Sequence, residues 1–171
     1  KFSDTRSIQM VACDLNECVK ITLDSLVEDT FPGLVIDCNF SDGLGLVGLA
    51  PTLFNQVLIN VVTNSAEAVK KRSSKIGEDY EGRIIVQTLG TDNFAKVVIA
   101  DNGVGVSTSD QVRIFEPFFT TKGDGNRGVG LSLSYAIMQS HGGDIKFVSE
   151  VDVGTRVEIT IPYFKEGGLN A

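Results

Sequence analysis

Residues 102–127 carry no sustained hydrophobic period, and glycine is dense from Asp101 to Gly154. A loop of that length is uncommon inside a compact domain, where connections usually run to about 4–6 residues, and it is tolerated chiefly as a lid or binding loop. The stretch is therefore either a functional lid or a segment whose elements the pattern hides, and the rest of the chain must supply the rigid support. It has the material to do so. With 171 residues, 42% hydrophobic and 22% charged, it can bury roughly 70% of its extended surface as one domain. That domain is read as 1–171, with its core over about 9–163 and no internal repeat.

The flanks of the lid alternate strand and helix. Residues 9–13 read as a short strand, and Asp14 with Glu17 opens a helix on which Leu15, Cys18, Val19, Leu23, Leu26 and Val27 recur at helical spacing up to Phe31-Pro32-Gly33. Leu34–Phe40 alternates as a strand, and Leu44–Leu49 is a further extended run. A long helix runs from Pro51 to about Arg72, followed by a polar loop over Lys71–Glu81. Strands at Arg83–Leu89 and Phe94–Ala100 are joined by Gly90-Thr91-Asp92-Asn93, a hairpin turn signal. Gly128–Gln139 is helical, and Asp144–Ser149 and Thr155–Pro162 complete the strands.

Charge and cysteine content narrow the chemistry. Lys and Arg number 15 against 22 Asp and Glu, a net charge of −7 and a pI near 4.7. Such a chain lacks the basic footprint of a nucleic-acid or anionic-membrane surface, so any polyanionic ligand must be held locally. Cys13, Cys18 and Cys38 lack metal-ligand spacing and have only His141 to help them, which points to buried thiols in a reducing compartment. No apolar run is long enough to span a bilayer. The missing start methionine suggests a piece of a longer protein. His141, in Ser140-His141-Gly142-Gly143, reads as a helix C-terminal cap, where a cation suits the dipole, more than as a catalytic base.

The long helix is two-faced. At ~100° per residue, Phe54, Leu58, Val61, Val62, Ser65 and Val69 share one arc, while Asn60, Asn64, Glu67 and Lys71 form a polar stripe on the other. Asparagine is a mediocre helix former, so two of them one turn apart need a reason. An amide oxygen is a hard neutral ligand for Mg²⁺ and Lys71 is a cation for phosphate oxygens, so the stripe suits one wall of a nucleotide site as well as a solvated face.

Two glycine motifs supply the other walls. Asp101-Asn102-Gly103-Val104-Gly105-Val106 follows a buried-looking strand. It delivers a carboxylate able to accept from an exocyclic amine, beside glycines that admit a flat base. Gly128-Val129-Gly130-Leu131 opens a helix whose free N–H groups favour phosphates. It is neither a Walker P-loop nor a dinucleotide fingerprint, lacking the Gly-Lys-Ser/Thr of one and the third glycine of the other.

In order, Gln56–Ala68, Asp101–Val106, Ile114–Lys122, Arg127–Leu133 and Gly154–Val157 resemble the asparagine box, first glycine box, phenylalanine box, second glycine box and final Gly-Thr of the ATP-binding catalytic domain of sensor histidine kinases. The resemblance implies an α/β two-layer sandwich of the Bergerat type, a mixed sheet of about five strands with three main helices on one face and a flexible ATP lid at about 102–127. It implies ATP and Mg²⁺ as cofactors, with Asp101 on the adenine amine, Thr155 supporting it through water, Asn64 on Mg²⁺ and Asn60 assisting at metal or phosphates. The glycine boxes, Gly103, Gly105 and Val106 with Gly128, Val129, Gly130 and Leu131, would line the nucleotide. Lys71, Lys122 and Arg127 are assigned to phosphate neutralisation from their positions. Phe115, Phe118 and Phe119 would pin the lid to the domain or to a partner.

Hydrolysing relatives of this fold place a glutamate one helical turn before the metal asparagine; here that position is Asn60, and an amide is no general base at neutral pH. Glu67 is the only local substitute. The resemblance implies as activity the transfer of the γ-phosphate of ATP to a histidine on an upstream dimerisation domain of a homodimeric parent, and the amide at position 60 is consistent with transfer over hydrolysis. A response-regulator receiver domain would act downstream, with no nucleic acid and no direct membrane contact by this segment. A cytoplasmic location is expected, with anchoring of the parent left open. The alternatives are a docking module that keeps the fold without the chemistry, or another ATPase or protein kinase of the same superfamily.

Overall fold

The computed structural model describes residues 9–30, 34–77, 79–119 and 129–165. The order of elements is β1 (Val11–Cys13), α1 (Leu15–Thr30), β2 (Val35–Phe40), β3 (Val47–Leu49), α2 (Pro51–Ile76), β4 (Arg83–Gly90), β5 (Phe94–Asp101), α3 (Thr108–Gln111), α4 (Gly130–Ser140), β6 (Asp144–Glu150) and β7 (Gly154–Pro162). Five strands form one sheet in the order β2-β4-β5-β7-β6, and β1 pairs with β3 in a separate two-stranded sheet. Only β2 and β4 run parallel; β4, β5, β7 and β6 pair antiparallel. The sheet is therefore mixed, as expected.

The side-chain period of two divides the sheet into faces. Ile84, Val86, Val97, Ile99, Ile159 and Ile161 are fully buried, and they meet Leu15 and Val19 of α1, Phe54, Val57, Leu58 and Val61 of α2, and Ile137 and Met138 of α4. Three helices thus cover one face. The other face carries charge: Glu158 sits between Lys96 at 3.4 Å and Arg156 at 3.0 Å.

The structure moves several boundaries. Helix α2 continues to Ile76 instead of yielding to a loop at Lys71, and ends where Gly77 takes φ 93 and donates its N–H to Ser73 O at 2.9 Å. Its last turns are polar because they are exposed, and Lys and Arg are adequate helix formers there. The run beginning at Leu44 is extended as a strand only from Val47, where β1 supplies a partner. Helix α4 begins at Gly130, two residues later than read, and residues 108–111 of the expected lid form a short helix capped by Ser107. The thiols are less covered than expected: Cys13 and Cys18 are half-buried and Cys38, on edge strand β2, is exposed.

His141 is the C-cap residue of α4, as read, but its bonding is different from that of a dipole-paired cation. It is buried, its Nδ1 lies 2.7 Å from Ile137 O, and its Nε2 accepts the Ala50 N–H at 3.0 Å. Ala50 is the N-cap of α2 and offers no side-chain cap of its own, so the imidazole joins the end of one helix to the start of another.

Candidate nucleotide site

Between α2, the start of α4 and the end of β5 lies a cleft of about 990 Å³. The asparagine stripe forms its helical wall: Asn60, Asn64, Glu67 and Lys71 all line it, continued by Lys70, Ser74 and Lys75. Asp101, Gly105, Val106 and Thr155 line it from the sheet end, and Val129, Gly130 and Leu131 from α4. Residues taken from four separate stretches of sequence thus converge on one cavity. Lys122, Arg127 and Gly128 lie outside the described residues, as does the part of the expected lid from 120 onwards.

The Asp101 carboxylate is held from three sides. Strand β5 delivers it opposite Thr155 of β7. It accepts the Gly103 N–H at 2.9 Å, and Ser65 and the Thr155 backbone N–H also donate to it. Burial pushes its pKa above the ordinary carboxylate value and outweighs these three bonds, which pull it down. Ser65, placed on the apolar arc by the wheel, is buried and satisfied by this carboxylate. Only its hydroxyl among the arc's aliphatic side chains hinted at that role. Thr155 Oγ1 is 2.8 Å from Ser149 Oγ, so it is Thr155's backbone that bonds directly to Asp101.

Gly103 does not line the cleft. It stands behind the wall, where a Cβ would come within 2.6 Å of Ala68, so the loop can lie against α2 only without a side chain. Gly105 takes φ +67 and a Cβ there would strike the Glu150 carbonyl. Three residues unremarked in the sequence hold this loop. Arg72 Nη1 donates to Asn102 O at 2.7 Å, Val153 O at 3.0 Å and Gly103 O at 3.3 Å. The Tyr80 hydroxyl bonds Asn102 O at 2.8 Å, and Asn102 Oδ1 accepts the Arg83 N–H at 2.8 Å. Further along, Val106 N–H donates to Ser149 Oγ, and Gln111 Nε2 to Val106 O and Ser149 O. The first part of the expected lid is thus bound to β6.

The three phenylalanines separate. Phe115 packs on the Tyr135 ring of α4 at 5.5 Å between centroids, and Phe119 lines the cleft beneath the Arg113 guanidinium at 4.5 Å. Phe118 is 79% exposed with φ 67. The start of α4 is tied to the asparagine stripe, Asn60 Nδ2 donating to Gly130 O at 3.1 Å and Ser134 Oγ at 3.2 Å. Among the described residues no cluster of three or more His, Cys, Asp or Glu is placed to hold a metal ion. The oxygen donors on the wall include the Asn60 and Asn64 amides, the Glu67 carboxylate and the Thr63 and Ser74 hydroxyls. That set suits a hard cation carrying most of its ligands with it, as Mg²⁺ does on phosphates.

Residues 50–165 match the family described as "Histidine kinase-, DNA gyrase B-, and HSP90-like ATPase". The chain is 33% identical to the signal transduction histidine-protein kinase AtoS of Escherichia coli K12 over 170 residues, 98% of this chain and 26% of that protein. It is 32% identical to the sensor protein TdiS of Thauera aromatica over 152 residues, 82% of this chain and 26% of that one. It spans about a quarter of the length of these curated relatives. Among solved structures, the catalytic domain of histidine kinase ThkA superposes with a TM-score of 0.74 at 27% identity, covering 90% of this chain and 95% of that one. A matched segment holding α2, both glycine motifs and Thr155 places this chain in the family of histidine kinase-, DNA gyrase B- and HSP90-like ATPases.

Proposed function

We propose that this domain binds ATP with Mg²⁺ in the cleft and donates the γ-phosphate to a histidine on a separate dimerisation domain of its parent protein, as the first step of two-component signalling. The observation that carries the reading is the pairing of two unlike ends in one cavity. At one end a desolvated carboxylate, Asp101, is held by Gly103, Ser65 and Thr155. At the other, α4 begins beside Asn60. The first suits an exocyclic amine and the second a chain of phosphates.

Asn64 and Asn60 are the residues that would hold Mg²⁺, through their amide oxygens. When bound, the ion would neutralise charge on the phosphates. Lys71 on the wall would add positive charge toward the same groups; Lys122 and Arg127 are assigned to that role from their positions in the sequence alone. Phosphoryl transfer asks chiefly for positioning and charge neutralisation, and the wall provides both. Water activation is poorly served: Asn60 is not a base, and Glu67 is the one carboxylate of the stripe. These residues favour transfer to a protein acceptor over hydrolysis.

The names of the relatives support a histidine as acceptor. His141 does not qualify, being buried with both ring nitrogens engaged. The acceptor therefore belongs to a partner domain, with a receiver domain taking the phosphate onward and the parent acting as a homodimer. We place the domain in the cytoplasm; none of its described helices is long and apolar enough to cross a membrane. The test is labelling. Incubated alone with γ-labelled ATP and Mg²⁺, the chain should stay unlabelled, and it should label the parent's histidine-bearing domain when that is added. Acid-labile phosphate on the chain alone would contradict the assignment, as would hydrolysis with no transfer.

A further inference from the structure

Ser134 has no exposed surface, yet it is one of the few polar side chains in the α2–α4 contact. Its Oγ donates to Gly130 O at 2.8 Å and accepts from Asn60 Nδ2 at 3.2 Å. The same Nδ2 donates to Gly130 O at 3.1 Å. A helical serine bonded to the carbonyl four residues back is ordinary. The third partner is not, for Asn60 lies 74 residues away in sequence.

The arrangement fixes which way the Asn60 amide is turned. Gly130 O can only accept, so the group facing it must be the NH₂; a flipped amide would set two oxygens against each other. Both hydrogens of Nδ2 then point at α4, and Oδ1 is left on the other side, where it accepts from the exposed Gln56 at 3.0 Å. A Cβ on Gly130 would meet the Asn60 side chain at 3.7 Å, an ordinary van der Waals contact.

We propose that Ser134 is a positioning residue for the phosphate end of the cleft. Together with Gly130 O, which sets the orientation of the amide, it holds Asn60 Nδ2 so that the Asn60 oxygen is the group offered to a cation or its water shell, and it ties that amide to the start of α4. The inference rests on the reading of the cleft as an ATP·Mg²⁺ site. Ser134 touches neither nucleotide nor metal and acts through Asn60.

The experiment compares the parent chain with Ser134→Ala, and Ser134→Thr with Ser134→Val, a pair of like shape differing in the hydroxyl. Calorimetry measures adenosine, ATP without Mg²⁺ and ATP with Mg²⁺, and NMR follows the Asn60 side-chain amide in the ligand-free protein. Adenosine affinity should be unchanged in all, which also shows that each variant folds. The gain in ATP affinity on adding Mg²⁺ should fall about three- to tenfold in Ser134→Ala and Ser134→Val and be retained in Ser134→Thr. The Asn60 amide resonances should move in the first two only. Equal Mg²⁺-dependent affinity in Ser134→Ala and the parent, or unmoved amide resonances, would overturn the proposal. A parent chain that binds no ATP at all would instead overturn the nucleotide reading, and the ligand-free NMR comparison would still test the Asn60 lock.

Discussion

In the proposed nucleotide site Asp101 would join recognition to stability with opposite signs. Its ionised form is the one that accepts an amine hydrogen in a charge-assisted bond. Because burial raises its pKa from the ordinary 3.8, adenosine affinity should be full above the raised value and fall as pH drops through it, earlier than an ordinary carboxylate would allow. Adenosine is the right probe because it carries no titrating phosphate. The empty fold should respond the other way. Between pH 3.8 and the raised value the native state holds a proton that the unfolded chain has released, so unfolding free energy declines as pH rises across that window. Ser65→Ala removes a bond that favours the charged form, and titration of adenosine affinity should show its midpoint moved to higher pH; an unmoved midpoint would mean that Ser65 does not act on Asp101. The sequence announced Asp101 because it follows a strand and precedes two glycines. It did not announce Ser65, because a wheel sorts residues by polarity and cannot see that a hydroxyl on the apolar arc meets a carboxylate arriving from another element.

At the scale of elements, Arg72 does for the Asp101 loop what a cap does for a helix. One guanidinium nitrogen serves carbonyls from two turns, Asn102–Gly103 and Val153, and the group lies 5.5 Å from the Tyr80 ring. Arg72→Met keeps much of the apolar stem and removes the donors. It should destabilise the domain by about 1.5–3 kcal/mol, measured by urea unfolding, with hydrogen-exchange protection lost first at residues 102–106 and 151–154. Uniform loss of protection across the sheet would count against this local role. The same residue explains why the end of α2 was illegible. From Lys71 onward, Arg72, Ser73, Ser74 and Lys75 read as a loop because no apolar period marks them, while the structure continues the helix through them, with Arg72 tying its end to the Asp101 loop. The hairpin of β4 and β5 was legible because its turn and its alternation are local. The pairing of β1 with β3 is a long-range event that neither segment's composition encodes.

The whole molecule holds its cleft through two joints between the same pair of helices. Near one end of the α2–α4 contact the Asn60 amide meets the first turn of α4; at the other, His141 at the end of α4 accepts the Ala50 N–H at the start of α2. The first lies in the cleft wall and the second in the core. His141→Ala leaves a buried N–H unpaired and a space behind it, and should cost about 2–4 kcal/mol of stability by urea unfolding; at temperatures where the variant is folded, ATP affinity should be within about twofold of the parent. Severe loss of binding in a folded variant would show that the joint shapes the site itself. The sequence placed His141 at a helix end but not its partner, since Ala50 stands 91 residues away. The central claim is tested most directly by titrating the domain with ATP and with GTP in Mg²⁺, for the parent and for Asp101→Asn. The account predicts one ATP per chain, a much weaker response to GTP, whose oxygen at the corresponding position would face the carboxylate, and an ATP affinity lowered roughly 10- to 150-fold in Asp101→Asn. No heat with ATP at millimolar concentration, or equal affinity for the two nucleotides, would contradict it.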